Sequence, residues 1–63
     1  MWFIDVVYKG QQMRLGTLAK ASAYEIWGSV HNWIPAPSSI NVFEGGDADE
    51  FGSGKPMALW PAP

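Results

Sequence analysis

Four of the six carboxylates in this 63-residue chain, Glu44, Asp47, Asp49 and Glu50, lie between positions 44 and 50. Clustered carboxylates suit three kinds of chemistry: general acid–base catalysis, cation binding, and contact with a basic partner. Asp47-x-Asp49 opens like a calcium-binding loop. That loop then needs an oxygen ligand at its fifth position and a Glu at its twelfth, and this chain has Phe51 and Ala58 there. No calcium site is expected. The carboxylates instead read as a solvated loop or as a negative contact surface, which would speed association with a basic partner and orient it.

Catalytic candidates are sparse. His31 is the only histidine, and a general base usually needs a second group to orient it. Tyr24, Trp27 and His31 recur at the spacing of one helix edge, which points to packing and not to a catalytic set. None of the serines sits in a nucleophile-elbow context, and Gly52-Ser-Gly54-Lys55 lacks the spacing of a phosphate-binding loop. There is no cysteine, so a thiol nucleophile, a disulfide and a thiolate metal site are all excluded by inventory. A chain this short also has little room for a closed pocket. The expectation is a protein that is not an enzyme and carries no cofactor or metal.

The elements that must hold these residues start from the size of the chain. Sixty-three residues make one domain (1–63), and such a domain buries only about 60% of its unfolded surface. Small proteins often add disulfides, metals or oligomerisation; here the stability must come from apolar packing. Hydrophobic residues make up 48% of the chain, with 4 Trp, 3 Phe and 2 Tyr. So many aromatic side chains exceed what one small core hides, which suggests a homodimer or a large partner interface. The N-terminus has no basic flank or long apolar run, so no signal peptide is expected. No stretch approaches the roughly 18 apolar residues of a membrane span. With Met1 at its start and no cysteine, the chain is consistent with a complete cytoplasmic product.

Trp2–Tyr8 is rich in β-branched and aromatic residues and reads as a strand. If Gly10-Gln11 forms a two-residue type II′ loop, Lys9 faces Gln12, Tyr8 faces Met13, Val6 faces Leu15 and Ile4 faces Thr17. One face then carries Trp2, Ile4, Val6, Tyr8, Met13 and Leu15. The other carries Asp5, Val7, Gln12 and Arg14, with Asp5 and Arg14 within diagonal reach. Ser22-Ala-Tyr-Glu25 reads as a capping box opening a helix, with Thr17 as an alternative start. Ala23, Ile26, Trp27, Val30, Trp33 and Ile34 form its apolar stripe. Pro35 ends it near Asn32 or Trp33, and Gly28 suggests close approach to the sheet. Ser39–Glu44 is a third strand with Ile40 and Val42 on one face. Residues 45–54 are a flexible acidic Gly-rich loop, Pro56–Trp60 a short edge strand, and residues 61–63 an extended tail. The fold class is α+β: a small antiparallel sheet of three to four strands with one helix on one face, in the order ββαβ(β).

The run Arg14-Leu-Gly-Thr-Leu-Ala-Lys20, a hairpin leading into a helix, resembles the arm-type DNA-binding domains of tyrosine recombinases over about a third of the chain. The resemblance implies a small DNA-binding domain with a three-stranded sheet before its helix. That family is basic, whereas this region offers only Lys9, Arg14 and Lys20, and the net charge is −2. Phosphate contacts come from Lys and Arg, so nucleic acid is the second reading, beside a structural or oligomerising subunit. The first is a stand-alone protein-binding module with a basic protein partner. In size and charge it resembles phage and mobile-element inhibitors of host nucleic-acid-binding machines, of the anti-CRISPR and anti-restriction type. The expected contact residues are Glu44, Asp47, Asp49, Glu50 and Phe51 of the loop, with Trp2 and Trp60 as aromatic anchors.

Overall fold

The computed structural model describes residues 1–63. Strand β1 (Trp2–Tyr8) and strand β2 (Gln11–Thr17) form a hairpin, followed by helix α1 (Lys20–Val30), strand β3 (Ser39–Glu44) and strand β4 (Lys55–Trp60). All four strands are antiparallel in one sheet of order β2-β1-β3-β4. The sheet is laid out by hydrophobic alternation. Ile4 and Val6 of β1 and Ile40 and Val42 of β3 point to one face and are buried there beneath Ala23 and Val30 of α1.

The hairpin differs from its sequence reading in one respect. The two loop residues are Lys9 and Gly10, not Gly10 and Gln11, so Tyr8 pairs with Gln11, Val6 with Met13 and Ile4 with Leu15. Both loop residues have positive φ, 51° and 78°, as a type I′ turn requires. A single glycine suits the second position of a I′ turn as well as the first of a II′ turn, so composition does not choose between them. The strand slips by two residues, and because side chains alternate with a period of two, every residue keeps its face. Asp5 and Arg14 move from a diagonal to directly opposite positions.

The helix begins at Lys20, before the expected Ser22 capping box. Ala19 is the cap residue and supplies no side-chain hydrogen bond. Thr17 still pairs with Trp2 in the sheet, so the chain turns within two residues, and Thr17 Oγ1 donates to the Ala19 carbonyl at 2.9 Å. The helix ends at Val30, slightly earlier than Pro35 alone implies. Two tight turns follow, Asn32 N–H to the Ser29 carbonyl and Trp33 N–H to the Val30 carbonyl. Trp33 and Ile34 therefore leave the helical stripe. Trp33 packs edge-on against Tyr8 at 4.9 Å, and Ile34 is 93% exposed. Gly28 does not mark a close approach: a Cβ there would meet nothing within 4 Å.

Val6 is fully buried under the helix, but Leu15 on the same face stays 41% exposed, because β2 is an outer strand. The other outer strand, β4, slips at Met57: Val42 pairs with Ala58 and Phe43 with Pro56, so Met57 is the bulged residue.

Trimming the core should separate buried from exposed isoleucines. Ile4→Val should cost about 0.5–1.5 kcal/mol, and Ile34→Val less than about 0.5 kcal/mol, in equilibrium urea unfolding. Equal losses would contradict this packing.

Candidate functional site: the acidic loop and its buried anchor

The second face of the sheet carries Phe3 and Asp5 of β1, Arg14 of β2 and Phe43 of β3. Arg14 Nε donates to Asp5 Oδ1 at 2.6 Å, and the two side chains are 4% and 0% exposed. A buried ion pair is tolerated only when its remaining donors and acceptors are also satisfied, and residues 45–54 provide the partners. Arg14 Nη1 donates to the Asp47 carbonyl at 2.6 Å and to Ser53 Oγ at 2.7 Å, and Nη2 donates to the Ser53 carbonyl. Gly52 N–H donates to Asp5 Oδ2 at 2.5 Å. No buried side-chain nitrogen or oxygen lacks a partner. The guanidinium also lies over the Phe3 ring at 4.4 Å and the Phe43 ring at 5.4 Å, where the ring quadrupole favours a cation.

The segment read as a flexible solvated loop is thus fastened across the back of the sheet. Its own backbone adds turns, Glu50 N–H to the Asp47 carbonyl and Ser53 N–H to the Glu50 carbonyl. Ser53 Oγ donates to the Glu50 carbonyl at 2.8 Å and accepts from Asp47 N–H at 2.9 Å. The neck is narrow. A Cβ at Gly46 would run into the Ser53 carbonyl and one at Gly54 into the Gly45 carbonyl, and both glycines have positive φ. A loop of this length with touching ends is an Ω-type loop.

The fastening uses backbone carbonyls and one serine, and none of the carboxylates of Glu44, Asp47, Asp49 and Glu50. All four residues are exposed, and the Asp5–Arg14 pair is the only ion pair in the molecule. Phe51, in the same loop, is half-buried.

The aromatic candidates lie elsewhere. Trp2 and Trp60 pack against the helix-covered core, on the face opposite Asp5 and Arg14. They end a row of rings: Trp2 to Tyr24 at 6.2 Å, Tyr24 to Trp27 at 6.5 Å, Trp27 to His31 at 4.4 Å and His31 to Trp60 at 5.1 Å. Trp27 Nε1 donates to the Ile40 carbonyl at 3.0 Å, and His31 Nδ1 donates to the Trp27 carbonyl at 2.6 Å. His31 is therefore a packed, hydrogen-bonded member of the row. No three acidic or histidine side chains form a metal-binding group, and the surface has no pocket. No helix is long and apolar enough to cross a membrane. Compared with family models, curated proteins and solved structures, the chain finds no match.

Sequence reading placed Asp5 near Arg14 but gave neither their burial nor Ser53 its role. The available signal was a lone Asp and a lone Arg on the less apolar face of a short hairpin.

Removing one partner strands a buried charge, which costs about 3–5 kcal/mol. Arg14→Met should therefore lose most of the stability of so small a domain. The double variant Asp5→Leu with Arg14→Met removes both charges and should be more stable than Arg14→Met alone. A thermal melt of Arg14→Met matching the wild type would refute the burial of this pair.

Proposed function

We propose that this protein is a non-catalytic binding module that docks through its fastened acidic loop onto a basic protein surface. One observation carries the reading: Asp47, Asp49 and Glu50 stand exposed and without ion-pair partners on a loop whose backbone is tied down by Arg14 and Ser53. A loop already ordered before contact loses less conformational entropy on binding. Unpaired carboxylates raise the encounter rate with positive surfaces. Basic surfaces of this kind are typical of nucleic-acid-binding proteins, so an inhibitor that occupies a phosphate-contacting groove fits the reading. Phe51 supplies an apolar element beside the charges.

The second reading, direct DNA binding, loses its central residue. Arg14 is buried in the ion pair, which leaves Lys9 and Lys20 in the region that resembles recombinase arm-type domains. Lys9 lies over the Tyr8 ring at 5.3 Å, and Lys20 lies 5.8 Å from the rings of both Trp2 and Tyr24.

Replacing Asp47, Asp49 and Glu50 with Asn, Asn and Gln tests both readings. The triple variant should fold normally, because exposed loop changes cost less than about 0.5 kcal/mol each. Wild type immobilised at low salt should retain basic proteins from its native host that the variant loses. Against a retained partner, the variant's on-rate should be lower, and the wild-type on-rate should fall with added salt. Identical retained proteins and on-rates would remove the loop from the function. Tighter binding of the variant to duplex DNA than to any retained protein would favour the DNA reading.

A further inference from the structure

The two outer strands of the sheet are guarded very differently. Strand β4 has Lys55, then Pro56, which lacks an N–H, then a bulge at Met57; charge, proline and bulge each prevent another strand from pairing with an edge. Strand β2, Gln11-Gln-Met-Arg-Leu-Gly-Thr17, runs its full seven residues in register with β1 and carries neither proline nor bulge. Its one charged side chain, Arg14, is turned to the back face and neutralised by Asp5.

The hydrogen-bonding phase of β2 follows from β1. The Val7 carbonyl accepts from Ser38 N–H, and the Met1 carbonyl accepts from Gly45 N–H. Odd-numbered residues of β1 thus direct their backbone groups towards β3. The even-numbered ones, Trp2, Ile4, Val6 and Tyr8, bond to their partners Thr17, Leu15, Met13 and Gln11 of β2. Gln12, Arg14 and Gly16 are left with N–H and C=O pointing outward from the sheet.

We propose that a second copy of this chain pairs with this edge, β2 against β2′ antiparallel, about a two-fold axis at Arg14. In that register Arg14 exchanges hydrogen bonds with Arg14 of the other copy, and Gln12 exchanges them with Gly16 in both directions. All three outward-facing residues of each strand are satisfied. On the helix-covered face, Met13 of one copy lies opposite Leu15 of the other, twice over. This buries Leu15, which is 41% exposed in the single chain, and adds the 87% exposed Leu18 at the margin. What favours a second copy as the occupant is the side-chain match: the two-fold at Arg14 sets Met13 against Leu15 twice, apolar against apolar, while no outward N–H or C=O of residues 12–16 is left unpaired. The net charge of −2 on each chain opposes the contact, so the pairing should strengthen as added salt screens that repulsion; β2 itself brings no uncompensated charge, because Arg14 is neutralised by Asp5. The two sheets become one, with both acidic loops on the same face. The pairing does not rest on the loop's proposed partner.

Sedimentation equilibrium of the full chain, from low micromolar to millimolar concentration, combined with residue-resolved amide exchange, tests this. The wild type should pass from monomer to dimer. The amides of Gln12, Arg14 and Gly16 should exchange more slowly as the dimer forms, while those of Met13 and Leu15, already bonded to β1, keep their rates. Leu15→Lys puts a charge on the edge at an already exposed position and should raise the dimer dissociation constant at least about tenfold. Gln12→Pro, which removes one outward N–H, should do the same. Unchanged near-ultraviolet circular dichroism establishes that each variant is folded. A monomer at every concentration overturns the proposal. So does a dimer that both variants leave intact, or one whose protection does not alternate along β2.

Discussion

The buried pair of Asp5 and Arg14 is the constraint on which the second half of this molecule is built. A hydrophobic face roofed by a helix accounts for Ile4, Val6, Ile40 and Val42, and it would close without any charge. The opposite face of the same strands carries an ion pair almost wholly shut off from water, and such a pair repays its desolvation only with a complete set of hydrogen bonds. Two strands cannot supply that set. The ten residues after β3 can, because they offer the carbonyls of Asp47 and Ser53, the Ser53 hydroxyl and the Gly52 N–H. The sheet thus has two covers of different physics, an apolar helix on one side and a polar loop on the other.

The proposed docking role rests on how the loop is fastened. Backbone groups hold it down, and every acidic side chain in it stays free for solvent or a partner. A loop held instead by its carboxylates would be equally ordered and would present no charge. Gly46 and Gly54 narrow the neck so that the loop can lie back on the sheet; a side chain at either would collide with the opposite strand of the neck.

The apolar half of the fold was readable in the sequence because it depends on period. Alternation in Trp2–Tyr8 and Ser39–Glu44 and the spacing of Ala23, Ile26, Trp27 and Val30 specify which side chains meet, and a two-residue slip of the hairpin leaves that unchanged. The end of the helix was less readable. Trp33 and Ile34 continue the periodic pattern, but the backbone has already turned, and tertiary contact with Tyr8 decides where Trp33 goes. The polar half was hardly readable at all. A Gly-rich acidic segment has the composition of a mobile loop, and the hydrogen bonds that join it to the sheet depend on the three-dimensional position of Arg14, distant in sequence from Ser53. The same limit applies to Trp2 and Trp60: their nearness to the chain ends suggested anchors beside the loop, whereas alternation places them on the other face.

The central claim is that the loop opens only when the ion pair beneath it does. Native-state amide exchange at Gly52, whose N–H donates to Asp5, measures this most directly. If the loop is fastened as described, Gly52 is protected to nearly the same free energy as the amides of β1 and loses protection with the same dependence on denaturant. Exchange of Gly52 at the rate of an unstructured peptide, while β1 remains protected, would contradict the account.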